Sequence, residues 1–343
     1  DIAAGSENLT ITANCLTRNY HAVLALVEEI ITRPRWDAVE FERLKQAAIS
    51  GVKQRNANPN AIAGNVFYRA LYGDSHIFSR PVSGTLQSLE SITMDDLKAY
   101  YAKYFSPEVS SFHIAGDVAK AEALKSLGSL GRSWKAASVS FADYALPEPP
   151  AGARLFFVDV PDAKQSVIMI GSLAMARNNP DFFPATLVNY KLGDGSGSKL
   201  FEVLRLEKGY TYGAYSFFMP RMITGPFVAS SSVQSKYTLE SLQLFREILG
   251  SFGDNYSNEE LEITRKATIR SNAGKFETIG SQIQMLQDIS TFDLPVDYIK
   301  NEETIAEQLS LEKAKALYAR YINPEKMTYV VVGDARTQLE RLK

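Results

Sequence analysis

ITMDDLKAYYAKYFSPEVSSFHIAGDV, residues 92–118, returns 217 positions later (309 minus 92) as LSLEKAKALYARYINPEKMTYVVVGDA, residues 309–335. At that offset Tyr101 meets Tyr318, Ala102 meets Ala319, and Tyr104 meets Tyr321. Pro107, Glu108, Gly116 and Asp117 likewise meet Pro324, Glu325, Gly333 and Asp334. Each copy reads as an amphipathic helix, a proline turn, an apolar strand and a Gly-Asp stop. Two structural units of one ancestry are therefore expected in tandem, one over residues 1–146 and one over 147–343. The second begins after Pro147-Glu148-Pro149-Pro150, and its strand Arg154–Val160 lies far upstream of Gly333-Asp334. Carried back by the same offset, that start falls before residue 1. The first unit is thus expected to lack roughly 65 residues at its N-terminal end, as a piece of a longer protein would.

Composition narrows the functional classes. The 343 residues are 45% hydrophobic and 22% charged, enough for two cores. Basic and acidic residues number 37 and 39 and form no block of one sign, so no phosphate-binding surface and no nucleic-acid partner is expected. The longest apolar run, Val167–Ala176, is interrupted by Gly171 and Ser172 and falls short of the ~18 residues that span a bilayer. The single cysteine, Cys15, can form no internal disulfide and is expected as a small buried hydrophobe.

Periodicity assigns the elements. Leu9–Leu16 alternates as a strand, and Tyr20–Thr32 carries Val23, Leu24, Val27, Ile30 and Ile31 at helical spacing before the stop at Pro34. Asp37 is a natural N-cap for a helix toward Asn56. In the second unit, 239–252 and 259–272 answer these two helices. Strands are expected at 154–160, 166–173, 210–219 and 226–232. Strands grouped with helix pairs argue for an α+β fold, each unit a largely antiparallel sheet with helices packed on one face.

The chemically suggestive segment is LGDGSGSKLFEVLRLEKGYTYGAY, residues 192–215. Its glycines are no P-loop, because the order is Gly-Ser-Lys and no βαβ context surrounds it. Ser198 suits the N-cap of a short helix 199–208, Gly209 suits its C′ position, and a strand of period two follows. Arg205 then lies in the last helical turn and Tyr212 early in the strand, seven residues on. Spacing alone makes them a surface arginine and a half-buried strand aromatic.

The segments PDAKQSVIMIG (161–171), LGDGSGSKLFEVLRLEKGYTYGAYS (192–216), SNEELEITRK (257–266) and YINPEKMTYVVVGDA (321–335) resemble the insulinase/pitrilysin (inverzincin) family of zinc metallopeptidases. PRWDAVEFERLKQ (34–46) and LYGDSHIFSRPVSGT (71–85) match it more loosely. The resemblance implies two similar units per half-molecule, with two halves closing like a clamshell on an unfolded peptide. One half carries H-x-x-E-H and binds zinc. The other supplies an Arg and a Tyr seven residues apart, and Arg205 and Tyr212 match that pair.

Three histidines, His21, His76 and His113, form no H-x-x-E-H. In metal-binding halves, the helix corresponding to 38–56 carries two glutamates seven residues apart; aligned on Phe41-Glu42-Arg43, those positions are Leu44 and Gly51 here. Neither coordinates zinc. The expectation is a non-metal half with no cofactor of its own, whose Arg205 and Tyr212 complete the active site of a zinc-bearing half, fused upstream or separate. The alternative is a catalytically silent subunit of the same fold that binds peptide or scaffolds a complex. A bacterial periplasm is favoured over a cytoplasm.

Overall fold

The computed structural model describes residues 1–342. In chain order these begin with β1 (Ile2–Ala4), β2 (Leu9–Ile11), α1 (Tyr20–Thr32), α2 (Ala38–Asn56) and α3 (Pro59–Tyr72). Next come α4 (Leu86–Ser91), α5 (Met94–Tyr104), α6 (Lys120–Ser126), α7 (Gly128–Ser133), β3 (Arg154–Asp159) and β4 (Gln165–Met175). Then follow α8 (Phe182–Gly193), α9 (Lys199–Phe201) running into a π-helix (Glu202–Glu207), β5 (Thr211–Phe218) and β6 (Gly225–Gln234). The last are α10 (Thr238–Asn255), α11 (Asn258–Gly274), α12 (Ile279–Phe292), α13 (Tyr298–Gln308), α14 (Leu311–Tyr321), β7 (Thr328–Gly333) and α15 (Ala335–Leu342). The architecture is α+β. The repeat appears at the expected offset: α5 and α14 begin and end 217 residues apart, as do the 3-10 turns Pro107–Val109 and Pro324–Lys326.

The chain forms two compact units, neither continuous in sequence. One comprises 1–54, 81–144 and 276–290; the other comprises 55–80, 145–275 and the described residues from Thr291 on. Both α3 and α12 depart from the sequence division. They are repeat counterparts, and each is grouped with the unit built mainly from the other copy.

The first unit is mostly helical and is held by polar pins between elements. Lys45 Nζ donates to the carbonyls of Glu90 and Ile92, both at 2.9 Å. Tyr101 Oη donates to Ile31 O, and Trp134 Nε1 to Phe105 O. The Asp37 carboxylate caps α2 by accepting from the amides of Val39 and Glu40, as the sequence suggests. Three expectations fail here. The strand over 9–16 is paired only at 9–11, against β1. Cys15 is exposed, on unpaired backbone beyond that ladder. Residues 111–116, the counterpart of β7, form no strand. A strand is held by its neighbours; β7 lies between β3 and β4, and 111–116 has no such partners among the described residues.

The second unit is built on a five-stranded sheet ordered β3-β7-β4-β6-β5, with β3 parallel to β7 and every other pairing antiparallel. Alternation sorts its side chains. Ile168, Ile170, Phe227, Ala229 and Val331 face the main core with Leu192, Phe245, Leu249 and Tyr318 from the helices. Val167, Val228, Val330 and Val332 face the other way, where Ala63, Phe67 and Leu71 of α3 cover them. These three recur every four residues, one stripe of a helix, and burying Phe67 or Leu71 contributes about 1.5–3 kcal/mol each. Asn58 and Pro59 open α3 as N-cap and first residue. Helices therefore lie on both faces of this sheet, not one. Gly171 lets α3 come close: a Cβ there would overlap the Phe227 carbonyl and stand 3.0 Å from Phe67 Cζ.

The Gly-Asp stop has a local use. Asp334 accepts from the Asp162 amide at 3.0 Å and from Arg336 Nε at 3.0 Å, while Arg336 also pairs with the Asp162 carboxylate at 2.7 Å. The turn between β3 and β4 is thereby tied to the end of β7. The Arg336 guanidinium, helped by the Asp162 and Arg336 amides, holds the Asp334 carboxyl far below the usual carboxylate range.

Two measurements check this framework. Gly171→Ala is expected to lower stability by about 1–3 kcal/mol, as overpacking does, read as a fall in melting temperature. For Asp334, a depressed folded-state pKa means stabilisation present above the unfolded value of about 3.9 and lost as pH falls through the folded value. Asp334→Asn is therefore expected to lower the melting temperature at pH 7, with the gap to the parent closing progressively below about pH 4.

Candidate functional site

The segment 189–215 is anchored before it becomes irregular. Asn189, buried in α8, donates from Nδ2 to Ser216 O and accepts from Ser216 Oγ, both at 2.6 Å, so its amide is satisfied by one residue of β5. Gly193 closes α8 against the same residue, where a Cβ would collide with the Ser216 amide and hydroxyl. The glycine-rich turn then leads into α9 and the π-helix, where buried Leu200, Val203 and Leu204 form the apolar stripe read from the sequence.

Arg205 and Tyr212 lie on the two irregular pieces that follow. The expected short helix is α-helical only to Phe201 and continues as a π turn, where the Lys208 amide bonds to Val203 O at 3.0 Å. Such wide turns are uncommon and often mark functional positions. Gly209, with φ +66°, ends it. In β5 the register slips: Thr211 pairs with Val233 but Ala214 with Ser231, so three steps on β5 oppose two on β6. This β-bulge breaks the expected period of two. Thr211, Ala214, Ser216 and Phe218 turn inward, while Tyr212 and Tyr215, three apart, both turn outward.

The two groups meet. Arg205 Cζ stands 5.0 Å from the centroid of the Tyr212 ring, and Arg205 Nη1 donates to Thr211 O at 3.3 Å. Arg205 is half-buried, and Tyr212 is 80% exposed with its hydroxyl unpartnered among the described residues. A guanidinium over an exposed aromatic face is worth about 0.5–1 kcal/mol. It limits both side chains while leaving further N–H donors and the phenol O–H available. Sequence reasoning picked out the pair but missed the π turn, the bulge and Thr211; Gly213 inside a strand was the one available signal. A concavity of ≈ 650 Å³ between α10 and α14, lined by Gly250, Tyr318 and Pro324 among others, includes neither residue.

A family model described as the peptidase M16 inactive domain matches residues 91–268. The chain belongs to the peptidase M16 family. A Helicobacter pylori protein named non-peptidase homolog YmxG is 20% identical over 349 residues, covering 98% of this chain and 77% of that protein. The peptidase M16 inactive domain from Pseudomonas fluorescens superimposes with a TM-score of 0.84 at 24% identity, over 92% of this chain and 76% of that one. The periplasmic protease PqqL from Escherichia coli gives 0.71 at 16% identity, over 93% of this chain and 35% of PqqL. These structural likenesses establish the M16 fold.

Zinc, which the family resemblance implies for a partner half, finds no fitting ligand set among the described residues of this M16 chain. His21 pairs at the surface with Glu122 at 3.1 Å. His76 is buried, with Nδ1 accepting from the Phe78 amide, and burial lowers its pKa. His113, expected on a strand, lies on irregular backbone with Nε2 against Ser290 Oγ. Leu44 and Gly51 lie seven apart on α2 and offer no donor side chain. Among the described residues no three His, Cys, Asp or Glu side chains gather as a metal site. Nor is any described helix long and apolar enough to cross a membrane.

Asn189→Ala leaves two buried Ser216 groups unpaired and is expected to cost about 1–3 kcal/mol, measured as a shift in the denaturation midpoint.

Proposed function

We propose that this chain is the non-metal half of an M16 zinc endopeptidase, and that Arg205 and Tyr212 act on a peptide held against an H-x-x-E-H-bearing half. The observation that carries the reading is the Arg205–Tyr212 contact, with the phenol left open to solvent. Peptide hydrolysis builds negative charge on the scissile carbonyl oxygen. A phenol O–H aimed there forms a hydrogen bond that strengthens in the transition state. A guanidinium gives fixed positive charge and several donors for neighbouring substrate carbonyls, which orients the peptide.

Neither group generates a nucleophile, so attack on the peptide is assigned to the partner half. The exposure of Tyr212 supports the same division. A hydrogen bond to a developing oxyanion gains its full worth only where water is excluded, and a phenol 80% open to solvent needs a second surface over it. The partner is fused upstream or separate, its substrate is an unfolded peptide, and the bacterial periplasm is the favoured setting, which the likeness to the periplasmic protease PqqL supports.

A second reading has its own support in the name non-peptidase homolog carried by a relative: a silent subunit that binds peptide or scaffolds a complex.

The deciding experiment combines the chain with its zinc-bearing half. Tyr212→Phe is expected to lower kcat about 10²–10³-fold, the typical cost of one lost oxyanion donor, with zinc content and complex formation unchanged. Unaltered turnover in that variant, with the complex intact, favours the silent subunit.

A further inference from the structure

A central strand is ordinarily rich in β-branched and aromatic residues, yet β6 carries Ser230-Ser231-Ser232 in succession. Ser231 lies opposite Ala214, where the β5 ladder resumes after its bulge, and both Ser231 and Thr211 are buried. Their hydroxyls surround the two irregular residues. Thr211 Oγ1 stands 2.7 Å from Ser232 O and 3.1 Å from the Gly213 amide; Ser231 Oγ stands 2.8 Å from Gly213 O and 2.9 Å from Thr211 Oγ1. Each hydroxyl has one proton and two lone pairs. Thr211 Oγ1, also 2.9 Å from Gly213 O, accepts from the Gly213 amide and donates to Ser232 O or Gly213 O, while Ser231 donates to Gly213 O or to Thr211 Oγ1. The backbone groups that the bulge takes out of the ladder are those the hydroxyls bind.

We propose that Thr211 and Ser231 are positioning residues for Tyr212, a hydroxyl clamp that stabilises the one-residue bulge and so turns the phenol outward beside Arg205. In an unbulged β5, an inward Ala214 requires an inward residue 212, because faces alternate. The clamp's bearing on turnover rests on the reading of Tyr212 given above; its bearing on the bulge does not.

Thr211→Val keeps shape and removes the hydroxyl, Thr211→Ser keeps the hydroxyl, and Ser231→Ala removes the other arm. Amide hydrogen exchange on the full chain is expected to show Gly213 opening about tenfold faster in Thr211→Val and Ser231→Ala, the order of one hydrogen bond, and near the parent rate in Thr211→Ser. Unchanged Gly213 exchange in both hydroxyl-removing variants overturns the clamp. With the zinc-bearing half, Thr211→Val is expected to lower kcat at constant KM and to add nothing in a Tyr212→Phe background. An equal loss in both backgrounds shows the hydroxyl acting independently of Tyr212 and overturns the positioning role. If Tyr212→Phe itself leaves kcat unchanged, the catalytic reading fails, and the exchange rates still decide the clamp.

Discussion

Consecutive residues of a strand face opposite sides, so one additional residue in β5 relative to β6 decides where every later side chain points. Inserted at Thr211–Ala214, it sends Ala214, Ser216 and Phe218 into the core and leaves Tyr212 outside. The preceding π turn has a matching effect at the helix end, bringing Arg205 against the first residues of the strand. Both irregularities are set in regular surroundings. Upstream, α8 is fixed to Ser216 through Asn189, and alongside, β6 pairs on its far edge with β4. A rigid frame holding two deliberate defects is an economical way to present polar groups at fixed geometry.

Much of this was legible in the residues. The 217-residue offset pairs α5 with α14 residue for residue, and the capping signal at Asp37 agrees with the helix that follows it. Helical spacing in 239–252 marks α10, whose buried face carries Phe245, Ile248 and Leu249. What escaped was nonlocal. Segment 111–116 has the apolar character of β7 without its ladder partners, so similar composition gave a strand in one copy and irregular backbone in the other. Residue type alone suggests a buried Cys15, but burial depends on what packs over a residue, and Cys15 is exposed. Arg205 and Tyr212 were visible as a spaced pair, but the bulge beneath them depends on Ser231, twenty residues from Thr211 in sequence and adjacent to it only after β6 pairs.

The electrostatics of the pair fit a waiting role. Stacked on the Tyr212 ring, the guanidinium restricts its own motion and that of the phenol without using all its donors. Preorganisation of this kind lowers the entropic cost of engaging a ligand.

The reciprocal placement of α3 and α12 reaches beyond the site. Phe67 belongs to the first copy by descent, yet it presses against Gly171 and the valines of the second. One face of the second copy's sheet is thus covered by a helix of the first copy, while a side chain at 171 would collide first with the Phe227 carbonyl of its own copy. A break in the proline-rich link would therefore leave that face of the sheet covered by a helix belonging to the other piece.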